Sequence, residues 1–193
     1  PPAGATRKAS IFFIRDIWRT IASIRTDSYL LMAVIASAYF LLLGAFMQMN
    51  LIPYAMQQHG LTQEGGSYLF LLAALGIGLG SLLAGALSGR NVEIGVVPLG
   101  AIGLSVTALL LGAVNGGIPF ACVVIGFLGL SAGLFIVPLQ AWIQFRSPRE
   151  NLGEILAASG FLSWVGVLIS SGLIHLFGAT LHLSARTGFL IVG

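Results

Sequence analysis

Residues 80–103, GSLLAGALSGRNVEIGVVPLGAIG, decide the fold, because two apolar segments meet there across a turn in which only Arg90, Asn91 and Glu93 are strongly polar. A helix of about 20 residues crosses a hydrocarbon core roughly 30 Å thick, and each flank extends far enough to do so. The stretch therefore predicts a membrane hairpin, and the rest of the chain repeats the plan.

Working outward, complete spans are expected at about 29–49, 67–88, 94–114, 119–143 and 154–178, with a further one beginning near 185. An apolar run of this length satisfies its backbone hydrogen bonds in lipid as a helix, whereas a membrane barrel would show alternation over about ten residues. With 57% hydrophobic and 8% charged residues, the 193-residue chain lies outside the soluble range, where about a quarter of residues are charged. The expectation is an all-α integral membrane protein. Small residues recur at four-residue spacing in Gly76, Gly80, Ala84 and Ser88, in Ser81, Gly85 and Gly89, and in Ala108, Gly112 and Gly116, a pattern that lets helix backbones approach closely.

Residues 10–25, SIFFIRDIWRTIASIR, set Ile11, Ile14, Ile17, Trp18, Ile21 and Ile24 at helical spacing, with Arg15, Asp16, Arg19 and Ser23 opposite. That pattern predicts an amphipathic helix at the membrane surface, and its internal charges make a secretory signal the poorer alternative. Residues 1–28 thus form a linker before a transmembrane region at 29–193. Of the nine Lys and Arg residues, eight (Arg7, Lys8, Arg15, Arg19, Arg25, Arg90, Arg146 and Arg149) fall on one side of these spans and only Arg186 on the other. The positive-inside rule puts residue 1 in the cytoplasm. A net charge of +3 distributed in this way is a topology signal, not a nucleic-acid footprint. Cys122 stands alone, so no intrachain disulfide is expected. The opening Pro1-Pro2 and the close inside SARTGFLIVG read as cuts in a longer protein.

No Asp, Glu, Lys or Arg falls in the middle of a complete span. Milder polar groups do: Tyr39, Gln48 and Asn50 on the first, Gln140 and Gln144 on the fourth, Ser159, Ser163 and Trp164 on the fifth, against only Ser105 and Thr107 on the third. An amide in hydrocarbon needs a partner or water, so the first and fourth spans are expected to face a polar cavity and the third to face lipid. Interhelical hydrogen bonding is the competing reading for each residue. Tyr39, Gln48, Asn50, Gln140, Trp142 and Ser163 are the cavity candidates, with Phe40, Phe46, Met47 and Met49 as apolar lining. Pro53 and Pro138 weaken the ends of the first and fourth spans, where a gate could bend. Arg146, Arg149, Glu150 and Glu154, in FRSPRENLGE, form either a charge cluster that opens and closes or a plain topology marker. No cofactor, metal or catalytic site is expected, since His59, His175 and His182 stand apart and no nucleophile, base and orienting acid come together.

GIGLGSLLAGALSGRNVEIGVVPLGAIG at 76–103 and PLQAWIQFRSPRENLGEILAASGFLSWVGVLISSGL at 138–173 resemble the major facilitator superfamily, and within it the lysophospholipid transporters, including the transporter domain of bifunctional acyltransferase and acyl-acyl-carrier-protein synthetase proteins. The resemblance runs from about Ile17 to Gly178. It implies helices 7 to 11 and the start of helix 12 of a twelve-helix transporter, whose other, N-terminal half is the expected partner together with membrane lipids. It also implies that the seventh and tenth helices line the cavity and the ninth is peripheral, in agreement with the polarity gradient. Ser88 stands where the family's loop motif places an aspartate, so Arg90 and Glu93 enter only as gate candidates beside Arg146, Arg149, Glu150 and Glu154.

The function implied is movement of a lysophospholipid, lysophosphatidylethanolamine above all, across the bacterial inner membrane by alternating access. An exporter of drugs or other amphipathic solutes is one alternative. A membrane anchor for a fused lipid-acylating enzyme is another. The chain itself is not expected to be an enzyme.

Overall fold

The computed structural model describes residues 13–88 and 95–193, so Arg90, Asn91 and Glu93 lie outside the described residues. Its order is α1 (Phe13–Ile24), α2 (Ser28–His59), α3 (Gln63–Ser88), α4 (Val96–Ala113), α5 (Ile118–Arg146), α6 (Leu152–His175, continued by a π-turn at Leu176–Thr180) and α7 (Ala185–Val192). Five of these, α2 to α6, are long and apolar enough to cross a membrane, so the chain is an all-α, multi-pass membrane protein.

Local chemistry sets the ends. Asp27 caps α2 by accepting a hydrogen bond from the Leu30 amide at 3.3 Å, and Gly60, at φ 63°, closes it in the left-handed conformation that costs glycine little. Gly60, not Pro53, stops α2, which therefore runs ten residues beyond the expected end. Pro53 and Pro138 sit inside α2 and α5 and leave one backbone carbonyl each without its helical donor.

Lipid offers no hydrophobic drive for helix association, so close van der Waals packing carries it. The tightest seam joins α3 to α5. A Cβ on Gly76 would meet the Gly126 carbonyl, one on Gly80 the Leu130 carbonyl, one on Gly129 the Ala73 carbonyl, and one on Gly133 the Ile77 carbonyl. Gly76, Gly80 and Ala84 thus do what their spacing predicts, while Gly85 faces open space and packs on nothing. On the other side of α5, Gly100 of α4 admits Phe135 and Gly103 admits Ser131. α2 and α6 meet where Gly166 lies against Ala38 and Leu42, and the Ser170 hydroxyl donates to the Leu42 carbonyl.

The short α7 lies between α2 and α4. Gly112 makes room for Leu190, the Tyr54 and Phe189 rings meet edge to face at 5.3 Å, and Asn50 and Gln57 bond the backbone of Ala185 at 2.6 and 2.9 Å. Arg186, the one cation beyond the expected side, donates to the carbonyls of Gly112 and Ala113 and to Asn115, which supplies donors to the otherwise orphaned C-terminus of α4.

The pairing has an internal order. Exchanging α2 with α5, α3 with α6 and α4 with α7 carries the α3–α5 seam onto α6–α2 and α4–α5 onto α7–α2, and leaves α2–α5 and α4–α7 in place. Two pairs depart in extent: α2–α3 is more extensive than α5–α6, and α4 meets α5 more extensively than the shorter α7 meets α2. Because three crossings separate α2 from α5, the two triplets run in opposite senses.

At the Asp27 end, α1 docks on α6 and α2. Ile24 enters a cluster with Leu30, Val34, Leu139, Ile143 and Ile155, and Thr20 is buried beside it. Trp18, on the apolar stripe read from the sequence, is 64% exposed beyond the contact with α2 and α6.

Candidate functional site

The α2–α5 seam is where polar and aromatic side chains from distant parts of the sequence come together. Gln140 Nε2 donates to Ser37 Oγ at 2.8 Å, and Phe40 stacks on Phe135 with ring centroids 5.1 Å apart and planes 14° from parallel. Ser37 is fully buried, so its hydroxyl depends on this neighbour or on its own helix for a partner. At 100° per residue, Gly44 and Gln48 fall roughly 20° to either side of Ser37 on α2. A Cβ on Gly44 would meet nothing within 4 Å, and Gln48 is exposed. Along this one line the helix thus passes from a satisfied buried hydroxyl to an open notch and then to an uncovered amide.

The other cavity candidates go elsewhere. Tyr39 lies nine residues from Gln48, about half a turn round the helix, and is exposed on the opposite face. Asn50 is buried and spends its amide on the Ala185 carbonyl, which makes it an interhelical tie. Ser163 is buried on the stripe of α6 that also carries Ser159, Gly166 and Ser170. Trp142 is half-buried against the Asp27-end cluster, with its ring 6.0 Å from that of Phe145. Of the apolar lining, Phe46 is core, edge-on to Phe177 at 5.8 Å, and Met47 belongs to the core at the opposite end from Asp27. Seam and helix packing draw on the same residue types.

At the Asp27 end the same two helices are joined by charge. Arg146 Nε stands 2.6 Å from Asp27 Oδ2, while Asp27 Oδ1 caps α2. The Arg146 hydrogen bond, reinforced by the Leu30 amide and by the guanidinium charge, holds the Asp27 carboxyl below its usual range. Both charges also suit their helix ends, a carboxylate at an N-terminus and a guanidinium at a C-terminus. Arg149 and Glu150 are exposed in the turn after Pro148, and Glu154 lies exposed in the first turn of α6. Arg146 therefore reaches back to the start of α2, 119 residues away, where the sequence reading set it with its neighbours in the loop.

Asp27 and Ser37 are polar participants absent from the sequence-derived set, as Phe135 and Gly44 are among the apolar ones. Asp27 had a signal, a capping residue directly before an apolar run. Ser37 had none, since a lone hydroxyl in a membrane helix most often bonds its own backbone. Among the described residues no group of three or more His, Cys, Asp or Glu side chains could hold a metal ion. No protein-family model, curated protein or solved structure matches the chain.

Proposed function

We propose that this bundle is one half of a secondary transporter that moves a single-chain amphiphile, a lysophospholipid, by alternating access. The observation that carries the reading is the exchange pattern of the helices. Two inverted triplets, α2–α4 and α5–α7, pair with each other in the same pattern though to unequal extents, and many transporters build a site at the junction of such repeats. The equivalent members α2 and α5 are the pair that brings Ser37 and Gln140 together. A polar tie beside a stacked aromatic pair, next to an open notch at Gly44 and an exposed amide at Gln48, suits a ligand with one polar and one apolar part. The choice of lysophospholipid among such ligands rests on the resemblance of residues 76–103 and 138–173. In this reading the Asp27–Arg146 pair and the charges at Arg149, Glu150 and Glu154, with Arg90 and Glu93, edge the entrance on the cytoplasmic face.

The test is uptake of labelled lysophosphatidylethanolamine by spheroplasts expressing the parent protein, against empty vector, Gln140→Ala and Tyr39→Phe, with a cationic drug as competitor. The reading expects uptake above vector that falls at least tenfold in Gln140→Ala, is retained in Tyr39→Phe and resists the drug. Efflux of the drug with no lysolipid uptake would replace the substrate class and keep the transporter. Absence of both activities, with the protein folded in the membrane, would end the transport reading.

A further inference from the structure

We propose that the uncovered arc of α1 is a binding surface for the headgroups of anionic phospholipids. The helix is docked, so its orientation is fixed. Thr20 and Ile24 are buried on the ends of α2 and α6, and Ile17 and Ile21 are half-buried beside them. With Ile24 set toward the bundle, Trp18 falls about 120° round the helix, beyond Ile21 at about 60°. The apolar face of α1 is thus wider than its contact with the protein, and Trp18 stands at its far edge, 64% exposed.

The depth follows from the neighbouring charges. α1 ends three residues before Asp27, whose ion pair with Arg146 belongs outside the hydrocarbon. A helix held laterally at that level lies among headgroups, where an indole is favoured. Arg19 follows Trp18 on α1, and Arg25 stands one residue past the end of the helix, two turns along on the Trp18 side. Both are exposed, and neither has a carboxylate partner among the described residues, unlike Arg146. Two unanswered guanidiniums beside an interfacial tryptophan complement a phosphate-bearing anionic surface, and each basic residue near such a surface strengthens binding about fivefold. A soluble acidic partner would account for the arginines and leave the indole unexplained.

The experiment uses the whole chain with Trp142→Phe and Trp164→Phe, which leaves Trp18 as the only indole, in vesicles of phosphatidylcholine mixed equally with phosphatidylglycerol. Either lipid carries bromine on the acyl carbons nearest the headgroup. Brominated phosphatidylglycerol is expected to quench Trp18 more strongly than brominated phosphatidylcholine, and the preference should vanish in Arg19→Gln/Arg25→Gln and survive in Arg19→Lys/Arg25→Lys. Equal quenching by the two lipids in the parent would overturn the proposal. So would an indole that neither lipid quenches, whether aqueous acrylamide reaches it or not. Arg19 and Arg25 are exposed while the docked face is carried by Thr20 and Ile24, so the substitutions leave the buried contacts of α1 unchanged.

Discussion

Replacing Gly133 by alanine tests the packing logic at its tightest point. The added Cβ would stand 2.6 Å from the Ser81 nitrogen and 2.8 Å from the Gly80 carbonyl carbon, with the Ile77 carbonyl oxygen nearer still. All three are backbone atoms of α3, so no side chain can swing away. Carbon contacts relax at about 3.5–4.0 Å, so α3 and α5 must part by about 1 Å locally, enough to forfeit a quarter to a half of each contact along the seam. Overpacking of this kind costs about 1–3 kcal/mol, while alanine returns about 0.5–1 kcal/mol of helix propensity over glycine. The expected net loss is about 1–2 kcal/mol, a five- to thirtyfold fall in the folded ratio. Gly126→Ala, seven residues earlier on the same helix, is the control, because its Cβ would meet nothing within 4 Å. It should be neutral or slightly stabilising. Reversible unfolding in mixed detergent micelles, followed by helicity, measures both. A Gly133→Ala variant as stable as Gly126→Ala would refute the claim that backbone contact at this seam holds the bundle together.

Three further outcomes follow from the polar ties. The Asp27 carboxyl is held below its ordinary range, so its contribution is fully present above the usual carboxylate pKa and is lost as pH falls through the lowered one. Thermal stability of Asp27→Asn should therefore change less than that of the parent on going from neutral to strongly acid pH, and parallel curves would refute the role assigned to the Arg146 pair. Arg186→Gln removes donors from the Gly112 and Ala113 carbonyls and should cost about 1–3 kcal/mol. In a Cys122→Ala background it should also speed maleimide labelling of Ala185→Cys, which is buried while α7 is docked. A double-mutant cycle of Ser37→Ala and Gln140→Ala should return a coupling of about 0.5–1.5 kcal/mol, and additive losses would mean that the 2.8 Å bond contributes nothing.

The course of the chain was legible in the sequence because hydropathy and turn chemistry vary along it. The turn at Pro148 separates α5 from α6 where composition changes within a few residues, whereas α2 runs on to Gly60, well beyond the end read from the sequence. The packing faces were less legible. α2, α5 and α6 are apolar all round, so periodicity does not distinguish a face meeting lipid from one meeting a helix. Spacing of small residues recovered Gly76, Gly80 and Ala84 on α3, yet the complementary glycines of α5, Gly129 and Gly133, have the same signature and were passed over. On α1 the apolar stripe did not say how much of its width a neighbouring helix would take: Ile24 is buried and Trp18 is exposed.

The polar residues explain why the site was only partly legible. An amide within a membrane helix announces that it needs a partner, not which kind. Asn50 and Gln140 carry the same chemistry within equally apolar surroundings, but one is closed onto Ala185 of the last helix and the other onto Ser37 across 103 residues of sequence. The difference arises from what stands opposite. Asn50 meets a helix start, where Gly188 lets the backbone come to the amide and a carbonyl is available at 2.6 Å. Gln140 meets a side-chain hydroxyl, a partner that can turn away and offer the amide to something else. A tie to backbone fixes two helices permanently, whereas a tie between two side chains can exchange one partner for a ligand. By that criterion the Gln140–Ser37 tie, beside the uncovered Gln48 on the same side of α2, is the one the proposed transport reading would assign to a ligand, whereas the Asn50 tie holds α7 against α2.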